Sequence, residues 1–190
     1  MRDILNLGIR LFIITVVAVF CLAITNAYTK EPIRITAENA NNEVRRMALP
    51  QAQNFEVVDI QGKNIDGFSN ILEVYTGLDP QGQVIGYTVK TISKGYGGDV
   101  EVIVGIKKDG KISSVQIGDH SETPGLGSKA TEPGFIDQFV GKSASESLAL
   151  SKSSAAADNE IQAVTGATVT SQAVINGVNT AIQFYNEILK

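Results

Sequence analysis

The sequence is poor in the residue types that bind metals. Its 190 residues include one cysteine, Cys21, and one histidine, His120. A single cysteine cannot form an intrachain disulfide and cannot supply a thiolate set for zinc or an iron–sulfur cluster. A single histidine likewise excludes a multi-histidine metal site and a haem ligand pair. We therefore expect no metal, and whatever chemistry the chain performs needs an organic cofactor or none.

Positive charge is also scarce. The chain has 16 lysine and arginine residues against 20 acidic residues, which gives a formal net charge of −4. Because nucleic-acid-binding proteins present a basic surface to the phosphate backbone, we do not expect nucleic acid as a partner. The length that remains beyond the apolar N-terminus is enough for one ordinary domain.

Charge is absent altogether from residues 11–27, which read LFIITVVAVFCLAITNA. About 20 apolar residues span a bilayer, so the sequence predicts a single transmembrane anchor surrounded by membrane lipid. A cleavable signal peptide is the alternative. Arg2 and Arg10 precede the run, and positive charge tends to stay in the cytoplasm. We therefore expect a cytoplasmic tail and inner-membrane anchor over residues 1–29, and an extracytoplasmic domain over residues 30–190.

The middle of the chain has the alternation of β-strands. Apolar residues with a period of two predict strands over residues 71–76, 84–92, 100–106 and 112–117. Turn-forming residues occupy positions 79–82 and 107–110, between consecutive strands. Short connections of this kind join neighbouring antiparallel strands, so we expect an antiparallel meander.

Helical patterns lie on both sides of these strands. We predict a helix over residues 37–49 ended by Pro50, a short helix over 133–140, and a C-terminal helix capped by Thr170 or Ser171. Apolar residues recur along the last helix at three- to four-residue spacing: Val174, Val178, Ile182, Tyr185 and Leu189. The Ser- and Ala-rich residues 143–157 predict a flexible or weakly structured connection. The fold class is therefore α+β, an antiparallel sheet with helices packed on it, preceded by one N-terminal transmembrane helix.

Three segments are candidates for binding. Residues 165–171, TGATVTS, place hydroxyls and slim backbone before a helix N-terminus, where N–H groups and the macrodipole favour a phosphate. We expect Thr165 and the N–H groups of Val169 and Thr170 to hold it. A hydroxyl-rich helix cap is the alternative.

The other two segments follow predicted strands. Residues 121–127, SETPGLG, form a rigid loop with a carboxylate and a hydroxyl, and an ordinary turn is the alternative. Residues 95–98, GYGG, either connect two strands or let a flat ligand meet the backbone. His120 lies beside the second segment without a nucleophile or metal partner, and we assign it no role.

Taken together, the apolar segment, GYGG, ETPGLG and TGAT resemble the FMN-binding domain family, specifically the G subunits of Rnf electron-transport complexes. The C subunits of sodium-translocating NADH:quinone reductases share the pattern. The resemblance implies FMN joined through its phosphate to the last threonine of the S/T-G-A-T motif, here Thr168, by a dedicated flavin transferase. That motif usually has an aspartate three residues before its first position, where this chain has Gln162.

The resemblance also implies the remaining contacts and the function. The residues expected beside FMN are Glu122, Thr123, Gly125, Leu126, Thr165, Gly166, Ala167, Val169 and Thr170, with Tyr96 as a stacking candidate. The chain would relay electrons within a membrane complex that couples ferredoxin and NAD chemistry to sodium or proton translocation, and its partners would be the other subunits. It would have no independent turnover. An anchored extracytoplasmic ligand- or protein-binding module without redox activity, and a free-standing flavoprotein reductase, are the alternatives.

Overall fold

The computed structural model of the chain describes residues 2–59, 67–153 and 157–190, without the side chains at positions 2–5, 34–35 and 37–40. It divides into two compact units, Met1–Asn41 and Asn42–Lys190. The second unit contains the sheet and the candidate site.

The N-terminal helix α1 runs without interruption over Arg2–Ala48. Its stretch Asn6–Ile33 is 28 residues long and apolar enough to cross a membrane, a test that a signal sequence also passes. The predicted helix over residues 37–49 is the C-terminal part of this longer helix. The intervening residues are helical as well, although Pro32 cannot donate a backbone hydrogen bond.

Five antiparallel strands form one sheet in the order β1-β2-β3-β4-β5. They are β1 (Asn54–Val57), β2 (Ile71–Leu78), β3 (Val84–Lys94), β4 (Asp99–Lys107) and β5 (Ile112–His120). The predicted meander and its four strands are confirmed, and the strands extend further at their ends. Strand β1 was not predicted, because four residues at a sheet edge with mostly exposed side chains give no periodic signal.

A second, two-stranded parallel sheet pairs β6 (Ala149–Ser151) with β7 (Glu160–Gln162). Strand β6 lies inside residues 143–157, so the described part of this predicted connection contains one short strand that its composition did not indicate; residues 154–156 lie outside the described residues. Ala144 and Leu148 are buried, and Asn179 accepts a hydrogen bond from the Leu148 N–H and donates one to its carbonyl oxygen. Two apolar contacts and one side-chain amide therefore order a segment whose composition suggests none.

The other helices are shorter or begin earlier than predicted. Helix α2 covers Pro133–Ile136 and passes into a 3₁₀ turn, Asp137–Phe139, while another 3₁₀ turn covers Gly127–Thr131. Helix α3 covers Thr168–Phe184 and ends in a π-helical turn, Tyr185–Leu189. The predicted cap is wrong: Ala167 is the N-cap, and Thr170 and Ser171 lie inside the first turn.

Helix α3 packs against one face of the sheet, where Gly177 sits so close to Thr91 and Val102 that a methyl group would touch both. The predicted apolar face is confirmed, since Val174, Val178, Ile182 and Tyr185 are buried there.

The opposite face of the sheet receives the last residues of α1 and the turn after them. Ala48 and Leu49 are fully buried, and the glycines Gly77 and Gly105 leave room for them. Arg45 pairs with Glu73 at 2.7 Å and lies 3.6 Å above the centre of the Tyr75 ring.

Candidate functional site

A cavity of about 410 Å³ opens at the end of the sheet where β3 turns into β4, β5 ends and α3 begins. We call this the pocket end. The cavity is lined by most of the site residues predicted from the sequence, together with Gly127. The lining is Tyr96, Glu122, Thr123, Leu126, Gly127, Gly166, Ala167, Thr168, Val169 and Thr170. Three segments that are far apart in the sequence therefore form one concave surface.

The carboxylate of Glu122 links these segments. It is buried, with 6% of the residue exposed. Its Oε1 accepts hydrogen bonds from the backbone N–H groups of Tyr96 (2.9 Å) and Gly97 (3.0 Å), and its Oε2 accepts one from the Thr170 hydroxyl (2.5 Å). The N–H of Glu122 donates to Nδ1 of His120 at 3.3 Å. One side chain thus joins the β3–β4 turn to the first turn of α3, and its three hydrogen bonds fix both walls of the cavity.

Glycines make room for that carboxylate. A Cβ atom on Gly95 would collide with Oε1 of Glu122, and one on Gly127 would lie 2.5 Å from Oε2 and 2.9 Å from the Thr170 hydroxyl. A Cβ atom on Gly97 would collide with the Ser121 carbonyl oxygen. Three glycines are therefore required by close approach, two of them to Glu122 itself.

The first turn of α3 closes the cavity with backbone donors. The first i→i−4 bond of the helix runs from the Ser171 N–H to the Ala167 carbonyl, so the N–H groups of Thr168, Val169 and Thr170 precede it. Gly166 turns the chain into the helix with φ +80°, a conformation that favours glycine. Ser171 steadies the turn, because its hydroxyl donates to Ala167 and accepts from the Val164 N–H.

The rim of the cavity is apolar. Tyr96, Leu126 and Val169 come from three different segments, and 75%, 48% and 53% of each residue is exposed. Exposed apolar side chains that gather around one opening mark a binding site more often than a random surface. The cavity thus combines a helix N-terminus, a buried carboxylate and an apolar edge.

Two predicted site residues do not line the cavity. Thr165 is exposed in the turn before α3, one residue from the lining. Gly125 has φ +77° and donates its N–H to the Ser128 hydroxyl at 2.9 Å, so its carbonyl is the backbone group that remains for a ligand. Gly127 lines the cavity although it is not among the predicted site residues; its place in the Pro-Gly-Leu-Gly run is the signal that indicates it.

The segment that leads into the cavity is held by an amide. Gln138 accepts a hydrogen bond from the Gln162 N–H at 2.7 Å and donates to the Gln162 carbonyl at 3.3 Å. Gln162 itself is exposed at the end of β7. Its side chain is accessible three residues before Thr165.

Comparison with known proteins gives a consistent result. The FMN-binding domain family matches residues 95–183, a range that contains all three segments of the cavity. The G subunit of the Na(+)-translocating ferredoxin:NAD(+) oxidoreductase complex of Acetobacterium woodii is 42% identical, over 100% of this chain and 95% of its own. The G subunit of the ion-translocating oxidoreductase complex of Methanosarcina acetivorans is 32% identical, over 96% of this chain and 95% of its own.

A solved structure has a similar fold. The C subunit of the Na(+)-translocating NADH-quinone reductase of Parabacteroides distasonis superimposes with a TM-score of 0.57 and 21% identity, over 73% of this chain and 78% of that one. At this identity the likeness concerns the fold, an antiparallel sheet with helices.

Proposed function

Because this chain belongs to the FMN-binding domain family and, within it, to the G subunits of ion-translocating oxidoreductase complexes, we propose that it is the electron-carrying FMN subunit of such a complex. The observation that carries the proposal is the meeting of GYGG, ETPGLG and TGAT in one cavity at the N-terminus of α3. FMN supplies reversible electron transfer when bound, and the residues of this chain bind and orient it.

The start of α3 fits the phosphate of FMN. Three N–H groups in the first turn and the positive end of the helix dipole attract an anion. Thr165 lies exposed three residues before Thr168, and its hydroxyl is a further donor for the phosphate in addition to these N–H groups. The first turn of α3 contains no acidic residue of its own. The carboxylate that approaches it, Glu122, is held by the Thr170 hydroxyl and by two N–H groups of the β3–β4 turn.

The rest of the cavity fits a flat, largely apolar ring. Leu126 and Val169 offer an apolar wall, and Tyr96 offers an aromatic face. Thr123 lines the cavity and is a polar group for the ring edge. We propose the carbonyl of Gly125, two residues along the same loop, as a second polar contact. Pockets for cofactors of this size have volumes of roughly 300–1,000 Å³ with a few convergent polar groups, and this one lies in that range.

We further propose that the phosphate is esterified to Thr168. The hydroxyl of this residue stands at the first position of α3, where it is half-buried and lines the cavity. A flavin transferase would use a flavin phosphoanhydride as donor: the P–O bond to Thr168 Oγ1 forms, the anhydride P–O bond breaks and releases the other phosphate group, and a base of the transferase takes the hydroxyl proton. The ring takes no part in this step and stays free. A covalent tether keeps the cofactor at a high local concentration even where free FMN is dilute.

The helix α1 supports a membrane location for this carrier. Its 28-residue apolar stretch is long enough to span a bilayer. We propose that the N-terminus is cytoplasmic and that the domain beyond residue 30 lies outside, where the tether prevents loss of the flavin. The anchor would then hold the domain near the other subunits, and the coupled reaction would be theirs together.

Covalent attachment can be tested directly. The full chain is produced in cells with and without a flavin transferase, denatured, separated on a gel and viewed under ultraviolet light. We expect a yellow fluorescent band only with the transferase. Thr168→Ala should abolish the band, whereas Thr165→Ala should keep at least part of it.

The same gel separates the alternatives. A colourless protein in the presence of the transferase would contradict the flavin proposal and favour a non-redox binding module. A band that survives in Thr168→Ala would mean that the flavin is joined to another residue.

A further inference from the structure

The buried carboxylate at the pocket end is expected beside FMN, but both of its oxygens bind groups of the protein. We propose that Glu122 is a positioning residue: its carboxylate ties the β3–β4 turn to the first turn of α3 and so sets the width of the cavity. The proposal rests on the FMN site described above, but part of its test needs no flavin.

The hydrogen bonds support a mechanical role. One oxygen of Glu122 is shared by the N–H groups of Tyr96 and Gly97, while the other takes the Thr170 hydroxyl 48 residues along the chain. Both oxygens are therefore engaged within the protein. The bridge places Tyr96 at one edge of the cavity and the backbone donors of α3 at the other. The carboxylate therefore affects a ligand between these two walls by setting the distance between them.

Space around the carboxylate supports the same role. Gly95 and Gly127 each leave just enough room for one of its oxygens, so neither oxygen can move toward them. His120 Nδ1 accepts a hydrogen bond from the Glu122 N–H and so restrains the backbone that carries this side chain. Since the group is confined by two glycines and three donors, its position is fixed before any ligand arrives.

The length of the side chain at position 122, more than its charge, should then determine whether the bridge between the two walls is kept. Glu122→Gln keeps an oxygen that can accept from Tyr96 and Gly97, and its amide N–H can donate to the Thr170 hydroxyl, so it keeps the bridge without the charge. Glu122→Asp keeps the charge but is one methylene shorter and cannot reach both walls. A role in tuning the flavin by charge predicts the reverse order.

The first experiment is hydrogen–deuterium exchange on the full chain in detergent, without flavin. We expect the Tyr96 and Gly97 amides to exchange about tenfold faster or more in Glu122→Ala and Glu122→Asp, because their acceptor oxygen is removed or withdrawn from reach. Glu122→Gln should stay close to wild type. Glu146→Ala, an exposed glutamate away from this cavity, is the control.

The second experiment uses the flavinylated chain and records circular dichroism in the visible flavin bands, which arises only when the ring has a fixed asymmetric surrounding. We expect this signal to be lost or strongly reduced in Glu122→Asp and retained in Glu122→Gln. Wild-type exchange rates together with an unchanged flavin signal in Glu122→Asp would overturn the proposal. It would also be overturned if Glu122→Gln showed faster amide exchange and a lost flavin signal while Glu122→Asp behaved like wild type in both measurements.

Two more variants apply if Glu122→Ala fails to fold. Gly95→Ala displaces the carboxylate without removing it, with Gly98→Ala as its control in the same turn, where a Cβ atom has an ordinary 3.4 Å contact. Thr170→Val removes one arm of the bridge. Wild-type exchange and flavin signals in both Gly95→Ala and Thr170→Val would overturn the proposal. A wild-type chain without any flavin band would instead contradict the FMN site and leave the exchange experiment valid.

Discussion

At one end of the sheet the turns are held by hydrogen bonds within each turn, whereas at the other end the turns are joined to other segments around a cavity. The first, which we call the hairpin end, contains the β2–β3 turn and the β4–β5 turn. There the Asp79 carboxylate accepts from Gln81 and Gln83, and the Asp109 carboxylate accepts from Lys111. Each acidic side chain therefore accepts hydrogen bonds from backbone N–H groups of its own turn.

The pocket end uses the same residue types differently. Glu122 accepts from a turn 25 and 26 residues away and from α3, and no member of this set belongs to its own turn. Gly82 and Gly110 at the hairpin end are needed for φ of +78°, whereas Gly95 and Gly97 are needed because other atoms approach closely. Hydrogen bonds between neighbouring residues therefore stabilise the turns at the hairpin end, whereas hydrogen bonds between distant residues hold the candidate site together at the pocket end.

Breaking the close approach at the pocket end should have the largest effect. In Gly97→Ala the new methyl group meets the Ser121 carbonyl, and neither piece of backbone can move freely. Overpacking of this kind costs about 1–3 kcal/mol, and we expect a loss of unfolding free energy in this range together with loss of the flavin signal. Urea unfolding measures the change in unfolding free energy, and visible circular dichroism measures the flavin signal. Gly98→Ala should change neither, and a normal flavin signal in Gly97→Ala would contradict the distinction between the two ends.

A change at the hairpin end should affect stability alone. Gly110→Ala forces a side chain into the left-handed region with no other atom closer than 4.0 Å, and we expect a loss of about 1 kcal/mol. Flavin attachment should stay at the wild-type level on the gel. Gly110→Asn, which tolerates this conformation better, should recover part of the stability. Reduced flavinylation in Gly110→Ala would show that the two ends are coupled.

The rim should show the opposite behaviour, a change in the site without a change in stability. Leu126→Ser removes an exposed apolar side chain, so the unfolding free energy should change by less than about 0.5 kcal/mol. The flavin bands should nevertheless weaken in circular dichroism, because the ring loses part of its apolar wall. Val140→Ser, an equally exposed apolar residue elsewhere, is the matched control. An unchanged flavin spectrum in Leu126→Ser would remove this residue from the site.

The smallest effect is expected from titration at the hairpin end. Burial raises the pKa of Tyr185 above its ordinary value of 10.0, with Tyr87 and Asp109 adding to the shift. The folded chain therefore holds this proton more tightly than the unfolded chain, so stability should decrease as the pH rises above about 10. Tyr185→Phe should show a shallower decrease in urea titrations at about pH 9 to 11. An identical slope in both proteins would contradict the assignment to Tyr185.

The sequence was sufficient for elements with a local signal. Alternation from Ile71 to Ile117 gave the meander, and the spacing from Val174 to Tyr185 gave the buried face of α3, since both patterns repeat over many residues. The two parallel strands of three residues escaped detection because Ala149 and Glu160 pair across an interval that carries no pattern. The sequence predicts too late a start for α3, because Thr170 and Ser171 are typical N-cap residues. In the structure their hydroxyls instead donate to Glu122 and to the Ala167 carbonyl.

The candidate site was predictable in its parts and not in its assembly. Each of the three segments was identified from its own residues, yet nothing local to Glu122 indicates that its partners are Thr170 and the Tyr96 backbone. Such a bridge depends on the three-dimensional path of the sheet. One sequence taken by itself gives no signal for a contact between residues that are 48 positions apart.

The end of α1 determines where this protein can be cut for work in solution. Removing everything before Pro50 would strip Arg45 from Glu73 and Tyr75, and would uncover the groove over Gly77 and Gly105 that Ala48 and Leu49 fill. A shortened version that begins at or shortly before Asn42 keeps this covering and discards the lipid-length stretch. The last two turns of the helix therefore belong, for cloning and crystallisation, to the globular part of the molecule.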